Sequence, residues 1–164
     1  MSKTVIVTGA SRGIGRAISL YYAKKGFNVC VCCHKNADML DALKDEIENI
    51  GADCMTYVGN IGIFENAAEF FSLIKERFGK ADILINNAGI SYIGLLQDMT
   101  PSDWNDIVTS NLTSVFNCCK LAIPIMLGSH EGKIINISSV WGCVGASTDC
   151  LLYTSDAADD LTRV

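Results

Sequence analysis

Short apolar runs alternate with longer amphipathic stretches, and this alternation limits the possible folds more than any other feature of the sequence. The strand-like runs are residues 4–8, 27–33, 54–58, 83–86 and 133–137. The helix-like stretches are residues 13–25, 37–50, 63–78, 101–110 and 111–127. Strands separated by helices of this length form βαβ units with a parallel sheet. The pattern predicts an α/β fold with a Rossmann-type doubly wound parallel sheet, truncated after its fifth strand.

Glycine and proline residues support these boundaries. Gly26 and Gly51 stand where helices are expected to end, and Pro101 falls in a first helical turn. Pro124 lies inside the last helical pattern and has no amide hydrogen to donate. We therefore expect a kink or an early end of that helix near residues 122–123.

Length and charge narrow the class of protein. The chain has 164 residues, which fits one domain, and its formal net charge is -5 without a Lys/Arg-rich run. This charge argues against nucleic-acid binding and against an anionic membrane surface. No apolar run has the length of a signal-peptide core or a membrane span. We expect a cytoplasmic protein that binds neither nucleic acid nor membrane.

The eight cysteines have a plain interpretation as small buried side chains. Cys30 and Cys33 have C-x-x-C spacing, but they lie on a predicted strand. Side chains three residues apart on a strand point to opposite faces, so these two cannot hold one metal ion. We predict no metal site.

The strongest chemical signal is the segment Thr8-Gly9-Ala10-Ser11-Arg12-Gly13-Ile14-Gly15. It follows a predicted strand directly and opens an amphipathic helix. Glycines at such a turn let the backbone approach a pyrophosphate closely, and the helix N-terminus offers free N–H groups to it. The segment indicates a dinucleotide-binding loop.

Further motifs follow in order along the chain. They are Asn86-Asn87-Ala88-Gly89, Ser110-Asn111-Leu112 and Ile135-Asn136-Ile137-Ser138-Ser139. Together with the T-G-x-x-x-G-x-G pattern of the glycine loop, they resemble the short-chain dehydrogenase/reductase family over residues 4–148. The resemblance implies cofactor contacts at Gly9, Ser11, Arg12, Gly13, Ile14, Gly15, Lys35, Asn60, Ile61, Asn87, Ala88 and Gly89.

The choice of cofactor depends on the end of the second strand. An acidic residue there would hydrogen-bond a ribose 2′-hydroxyl and select NAD. This chain instead has Lys35 after that strand, and Arg12 lies in the glycine loop. Two cations can neutralise a 2′-phosphate, so we predict NADP(H), although Lys35 could also be an ordinary surface lysine. Asn60 stands where the family usually has an aspartate facing the adenine.

The resemblance also implies the chemistry. Hydride passes between a nicotinamide and a carbonyl carbon, Ser139 orients the carbonyl, and Asn111 supports the catalytic lysine and its helix. The family's proton donor is a tyrosine with a lysine four residues later. Tyr153 is the one candidate, but residue 157 is alanine. We judge the catalytic tyrosine and lysine absent, and we expect no reductase turnover from this chain.

The C-terminal segment resembles no helix of the family. Residues 150–159 match the translation of a common sequencing adapter. We therefore predict that residues 1–148 are an incomplete NADP-binding domain and that residues 149–164 are a non-native tail. A divergent enzyme with a genuine tail is the alternative.

Three interpretations of the function stay open: two types of reductase that differ in substrate, and an inert fragment. The whole chain resembles reductases of 3-oxoacyl groups on acyl-carrier protein. The run from Ser138 to Ser147 resembles reductases of the 5-aminopentanone modification of elongation factor P, with Trp141 near the predicted pocket. The substrate is thus a carbonyl compound, free or bound to a carrier protein, and the parent enzyme a homo-oligomer, dimer or tetramer. The chain alone could be an inert nucleotide-binding fragment.

Overall fold

The predicted alternation of strands and helices is present in the computed structural model, which describes residues 2–129 and 131–139. The strands are β1 Thr4–Thr8, β2 Asn28–Cys33, β3 Cys54–Val58, β4 Ile83–Asn86 and β5 Lys133–Asn136. The helices are α1 Gly13–Lys24, α2 Ala37–Asn49, α3 Phe64–Phe78, α4 Pro101–Val108 and α5 Ser114–Ser129. A 3-10 turn covers Leu96–Asp98, and a π-helical turn, Thr109–Thr113, joins α4 to α5.

All five strands are parallel, in the order β3-β2-β1-β4-β5. The predicted doubly wound Rossmann-type sheet is therefore confirmed. The chain leaves β1 toward β2 and later returns to the other side of β1 with β4. Ligands of such sheets bind at the carboxyl ends of the strands where this reversal occurs. The strand order thus places a binding crevice between the loops that follow β1 and β4.

Two apolar layers cover the sheet. Val5, Val7 and Val29 pack with α1 and α2 on one face, where Leu40 and Leu43 are fully buried. On the other face, Ile6 and Leu84 pack with α3, which contributes Phe70, and with α5. Burial on both faces explains why β1 is an uninterrupted apolar run rather than an alternating one.

The cysteines contribute to both layers. Cys30 packs with the α3 and α5 side and Cys33 with the α1 and α2 side, so the prediction of opposite faces is confirmed. Burial raises the pKa of the Cys54 and Cys118 thiols to about 12 in each case. These thiols are therefore uncharged at neutral pH and behave as small apolar side chains.

Two expectations are wrong for the helix that crosses the second half of the chain. First, the early end expected near residues 122–123 is wrong, because the helix continues through Pro124 to Ser129, whereas the alternative expectation of a kink there stays a prediction. Pro124 is exposed, while Ala122 and Met126 are buried. Lys120, whose carbonyl loses its helical partner because Pro124 has no N–H, is also exposed, so water can hydrate that carbonyl.

The second correction concerns length. The continuous helix Pro101–Gly128 is long and apolar enough, with a mean hydropathy of 1.2, to cross a membrane by length and composition alone. No run of that length was expected, and it arises because the π-helical turn joins the adjacent patterns of residues 101–110 and 111–127 into one helix. On the sheet-facing side, Nδ2 of Asn117 donates to the carbonyls of Ile61 and Gly62, at 3.1 Å each. This polar anchoring is typical of a helix that packs on a sheet.

Candidate active site

A cavity of about 730 Å³ opens at the carboxyl ends of the strands. Its walls are the loops after β1, β2, β3 and β4, together with the end of α4 and the π-helical turn. The lining residues are Gly9, Ser11, Arg12, Gly13, Ile14, Cys32, Cys33, His34, Lys35, Asn36, Gly59, Asn60, Ile61, Asn87, Ala88, Gly89, Ile90, Asp106, Thr109 and Ser110. Every predicted cofactor residue except Gly15 therefore borders one space.

Gly15 has a packing role beside that space. It is buried in the first turn of α1, and a Cβ there would lie 2.5 Å from Nδ2 of Asn87. Asn111 and Ser139 are not lining residues, although Asn111 directly follows Ser110 and Ser139 lies exposed beyond β5. The sequence missed Asp106, Thr109 and Ile90 because they come from loops and a helix that only the tertiary fold brings to the cavity.

The glycine loop offers backbone donors to the cavity. Gly9 and Gly13 have φ angles of +65° and +58°, a conformation that other residues rarely adopt. Residue Arg12 occupies the N-cap of α1, and no side chain caps this helix or places a carboxylate in its first turn. The first N–H groups of α1 are thus available, together with the positive end of the helix dipole. An anionic group such as a pyrophosphate fits this terminus.

Thr8 connects the glycine loop to the loop after β4. Its Oγ1 accepts hydrogen bonds from the backbone N–H groups of Asn87, at 3.0 Å, and Ala88, at 2.9 Å. In return, Nδ2 of Asn87 donates to the carbonyls of Thr8, at 3.0 Å, and Gly9, at 3.2 Å. These bonds hold two walls of the cavity at a constant separation.

The end of β2 carries no carboxylate. Cys33 is its last residue, and burial raises the pKa of that thiol despite backbone N–H groups of Asn36 and Lys35 that bond to the sulfur. Lys35 and Arg12 are exposed and border the same space. A strand end without a carboxylate and with two cations nearby favours a ribose that carries a 2′-phosphate. It is less suited to an unphosphorylated ribose, whose hydroxyl groups are neutral.

Asn111 holds the loop after β4 against the long helix. Its Nδ2 donates to the carbonyl of Ile90 and its Oδ1 accepts from the N–H of Ile90, both at 2.8 Å. Asn111 lies within the π-helical turn, a local form that often occurs at functional sites. The two bonds join the π-helical turn to the loop after β4, and the predicted role of Asn111 toward the catalytic lysine and its helix stays a prediction.

A second amide pair lies at the ends of β4 and β5. Nδ2 of Asn86 donates to Oδ1 of Asn136 at 2.9 Å, and the N–H of Ile137 donates to the carbonyl of Asn86 at 2.9 Å. Ser139 follows two residues later. These bonds hold the end of β5 beside the end of β4. They therefore set the position, relative to the loop after β4, from which the chain continues to Ser139.

Comparisons with known proteins agree with this fold. Residues 3–158 match the short chain dehydrogenase family. The chain is 43% identical over 148 residues to the 3-oxoacyl-acyl-carrier-protein reductase FabG of Staphylococcus aureus strain Mu50, covering 88% of this chain and 59% of that protein. For the enzyme of the same name from Thermotoga maritima the identity is 34% over 143 residues, with 87% and 58% covered.

A solved structure is also similar. A variant of actinorhodin polyketide ketoreductase with NADPH superposes with a TM-score of 0.87 and 29% sequence identity, over 96% of this chain and 61% of that one. The chain belongs to the short-chain dehydrogenase family. It spans about three fifths of the length of the curated relatives that it matches.

Several predictions fall on residues outside those that the structure describes. They concern Trp141 near the pocket, the absent tyrosine and lysine at Tyr153 and Ala157, and the boundary at residue 148. The family match itself extends to residue 158. The interpretation of residues 149–164 as a non-native tail stays a prediction.

Proposed function

We propose that this chain is the NADP(H)-binding part of a reductase that transfers hydride from NADPH to a carbonyl carbon. The observation that carries the proposal is the single cavity that joins an uncapped helix N-terminus to two cations, Arg12 and Lys35, beside a strand end without a carboxylate. NADPH is the dinucleotide whose extra phosphate matches those cations. When bound, it supplies the hydride.

Different residues of the chain bind different parts of the dinucleotide. The N–H groups at the start of α1 hold the pyrophosphate, and Arg12 with Lys35 hold the 2′-phosphate. Asn87, Ala88 and Gly89 form the wall nearest the nicotinamide, because they follow β4, the strand next to β5 and Ser139. Ser139 then hydrogen-bonds the substrate carbonyl and stabilises the negative charge that develops on its oxygen.

The substrate class is a carbonyl group on a carrier. Similarity to 3-oxoacyl-acyl-carrier-protein reductases favours a 3-oxoacyl group bound to a carrier protein. The resemblance to 5-aminopentanone reductases depends on residues 138–147, and all of them except Ser138 and Ser139 lie outside the described residues. An inert nucleotide-binding fragment is the candidate of another class, since the catalytic tyrosine and lysine are judged absent.

Assembly and location belong to the same proposal. Leu112, Phe116 and Leu127 on the long helix are 66%, 60% and 69% exposed. An apolar stripe of this kind is typical of an interface, which supports a homo-oligomeric parent enzyme. The cytoplasmic location is proposed from the sequence analysis alone. Size-exclusion chromatography with light scattering measures the oligomeric state directly.

The cofactor proposal predicts a selective loss of affinity. Changing Arg12 and Lys35 together to alanine should weaken NADPH binding about a hundredfold, since each charge-assisted contact is typically worth about 1.5–3 kcal/mol. NADH, which lacks the 2′-phosphate, should be affected much less. Fluorescence titration with both nucleotides measures the two dissociation constants.

The matched control is the double change of Lys24 and Lys25 to alanine. Both lysines are exposed at the end of α1, away from the cavity, and the net charge changes equally. This control should leave both affinities unchanged. Equal losses for NADPH and NADH in the Arg12 and Lys35 variant would remove the basis of the NADP(H) assignment.

The reductase proposal can be tested in a chimera. Residues 3–139 of this chain would replace the corresponding segment of the Staphylococcus aureus reductase, which supplies the remaining part of the fold. We expect NADPH oxidation with a 3-oxoacyl substrate, and Ser139→Ala should lower kcat by about 10²–10³-fold, as loss of an oxyanion donor does. Ser138→Ala is the control and should have much less effect. A larger loss from Ser138→Ala would show that the catalytic serine was assigned one residue too late.

A further inference from the structure

Two distant parts of the chain build the end of the cavity that lies nearest β3. One wall is the loop after β3, with Asn60 and Ile61, and the other is the helical segment with Asp106 and Thr109. The walls are in close contact, because a Cβ on Gly62 would lie 2.5 Å from Cγ2 of Thr109. This end of the cavity is therefore enclosed by two walls in contact and is not an open groove.

The strand order indicates which part of a dinucleotide reaches this end. In a doubly wound sheet the pyrophosphate lies at the helix N-terminus after β1, and the ribose lies at the end of β2. The next strand outward is β3. The base attached to that ribose therefore lies between the β3 loop and the helical segment.

The β3 loop presents hydrogen-bond donors to the base. Oδ1 of Asn60 accepts from the N–H of Gly62 at 3.0 Å, so Nδ2 is the part of that amide left for a ligand. Among the described residues, the backbone N–H of Ile61 also has no hydrogen-bond partner, while its carbonyl accepts from Asn117. Donors match the ring nitrogens of a purine, but they do not match the exocyclic amine of adenine, which needs an acceptor.

Asp106 supplies an acceptor from the other wall. It lies one helical turn before Thr109 and Ser110, so the three side chains share one helix face, and all three border the cavity. Within the described part of the chain, its carboxylate forms no ion pair and no hydrogen bond. An exposed carboxylate beside a cavity for a polyanionic ligand repels that ligand unless it accepts a hydrogen bond from it.

We propose that Asp106 accepts a hydrogen bond from the exocyclic amine of the adenine and so selects adenine over a 6-oxo purine. The proposal rests on the proposed function, in which the cavity binds a nicotinamide dinucleotide. It adds a specificity-determining residue on the helical wall, opposite the loop where Asn60 provides only a free donor.

The test compares two nucleotides and two variants of the full 164-residue chain. NADPH and its hypoxanthine analogue, which carries a 6-oxo group instead of the amine, are titrated against the unchanged chain, Asp106→Ala and Asp45→Ala. Asp45 is an exposed acid in α2, outside the cavity, and its removal makes the same change in charge. Circular dichroism verifies that each variant is folded.

Asp106→Ala should weaken NADPH binding and leave the hypoxanthine analogue unchanged or bound more tightly, so that the ratio of the two dissociation constants shifts about tenfold. Asp45→Ala should shift neither the ratio nor either affinity. Tighter binding of both nucleotides by Asp106→Ala would show that Asp106 is only a repelling charge at the rim, which overturns this inference but retains the proposed function. No binding of either nucleotide to the unchanged, folded chain would overturn both.

Discussion

Changing Gly9 to alanine should abolish high-affinity dinucleotide binding and strongly destabilise the fold. Gly9 has a φ of +65°, and a Cβ there would lie 2.7 Å from the Cα of Ala88, a backbone atom that cannot move independently. The left-handed conformation costs about 1–2 kcal/mol and overpacking about 1–3 kcal/mol more, so the free energy of unfolding should fall by about 2–5 kcal/mol. Denaturant unfolding followed by circular dichroism measures this loss.

Gly26→Ala is the matched control for Gly9→Ala. Gly26 has a φ of +77°, but a Cβ there would meet no atom within 4 Å. Its cost should be limited to the conformational term of about 1–2 kcal/mol, with unchanged nucleotide affinity. If both variants lost the same stability and both still bound NADPH, the close approach of the two loops would not matter for the site.

The second large effect is expected from Thr8→Val. Valine keeps the shape of threonine but removes Oγ1, which accepts the N–H groups of both Asn87 and Ala88. Two partly buried donors would then lack a partner, which should lower the free energy of unfolding by about 2–4 kcal/mol. NADPH affinity should fall as well, because these bonds hold the glycine loop beside the loop after β4.

Thr8→Ser separates the hydroxyl from the methyl group. Serine retains Oγ and loses one buried methyl, so it should cost about 1 kcal/mol and leave nucleotide binding nearly intact. Hydrogen exchange at Asn87 and Ala88 gives a local readout, with faster exchange expected only in Thr8→Val. Equal exchange rates in the two variants would mean that Oγ1 does not protect these amides.

The sequence was sufficient to predict the elements and their class. Residues 5–7 of β1 are apolar at successive positions because the strand is covered on both faces, and helical periodicity is clear in α2 and α3. These signals are local, since each depends on residues a few positions apart. The glycine loop was equally local, because its motif, the strand before it and the helix after it are contiguous.

Local sequence signals could not predict that the long helix is continuous. Pro124 lowers helix propensity wherever it stands, yet its cost depends on whether the ring and the unpaired carbonyl face water or the core. That orientation follows from the packing of Ala122 and Met126 against the sheet. The π-helical turn that joins α4 to α5 contains Asn111, which pairs with Ile90, 21 residues away, so its surroundings are likewise set by the tertiary structure.

The sequence by itself determined the α/β alternation, the parallel sheet and the glycine loop, because the period of apolar residues and the glycine spacing encode them locally. Only the tertiary structure decided which side chains share the cavity. Thr8 bonds to Ala88, 80 positions away along the chain, and Asp106 and Asn60 line the same cavity. The reason is physical: parallel strands bring their carboxyl ends to one edge, and the strand order that sets neighbours there depends on the packing of the whole sheet.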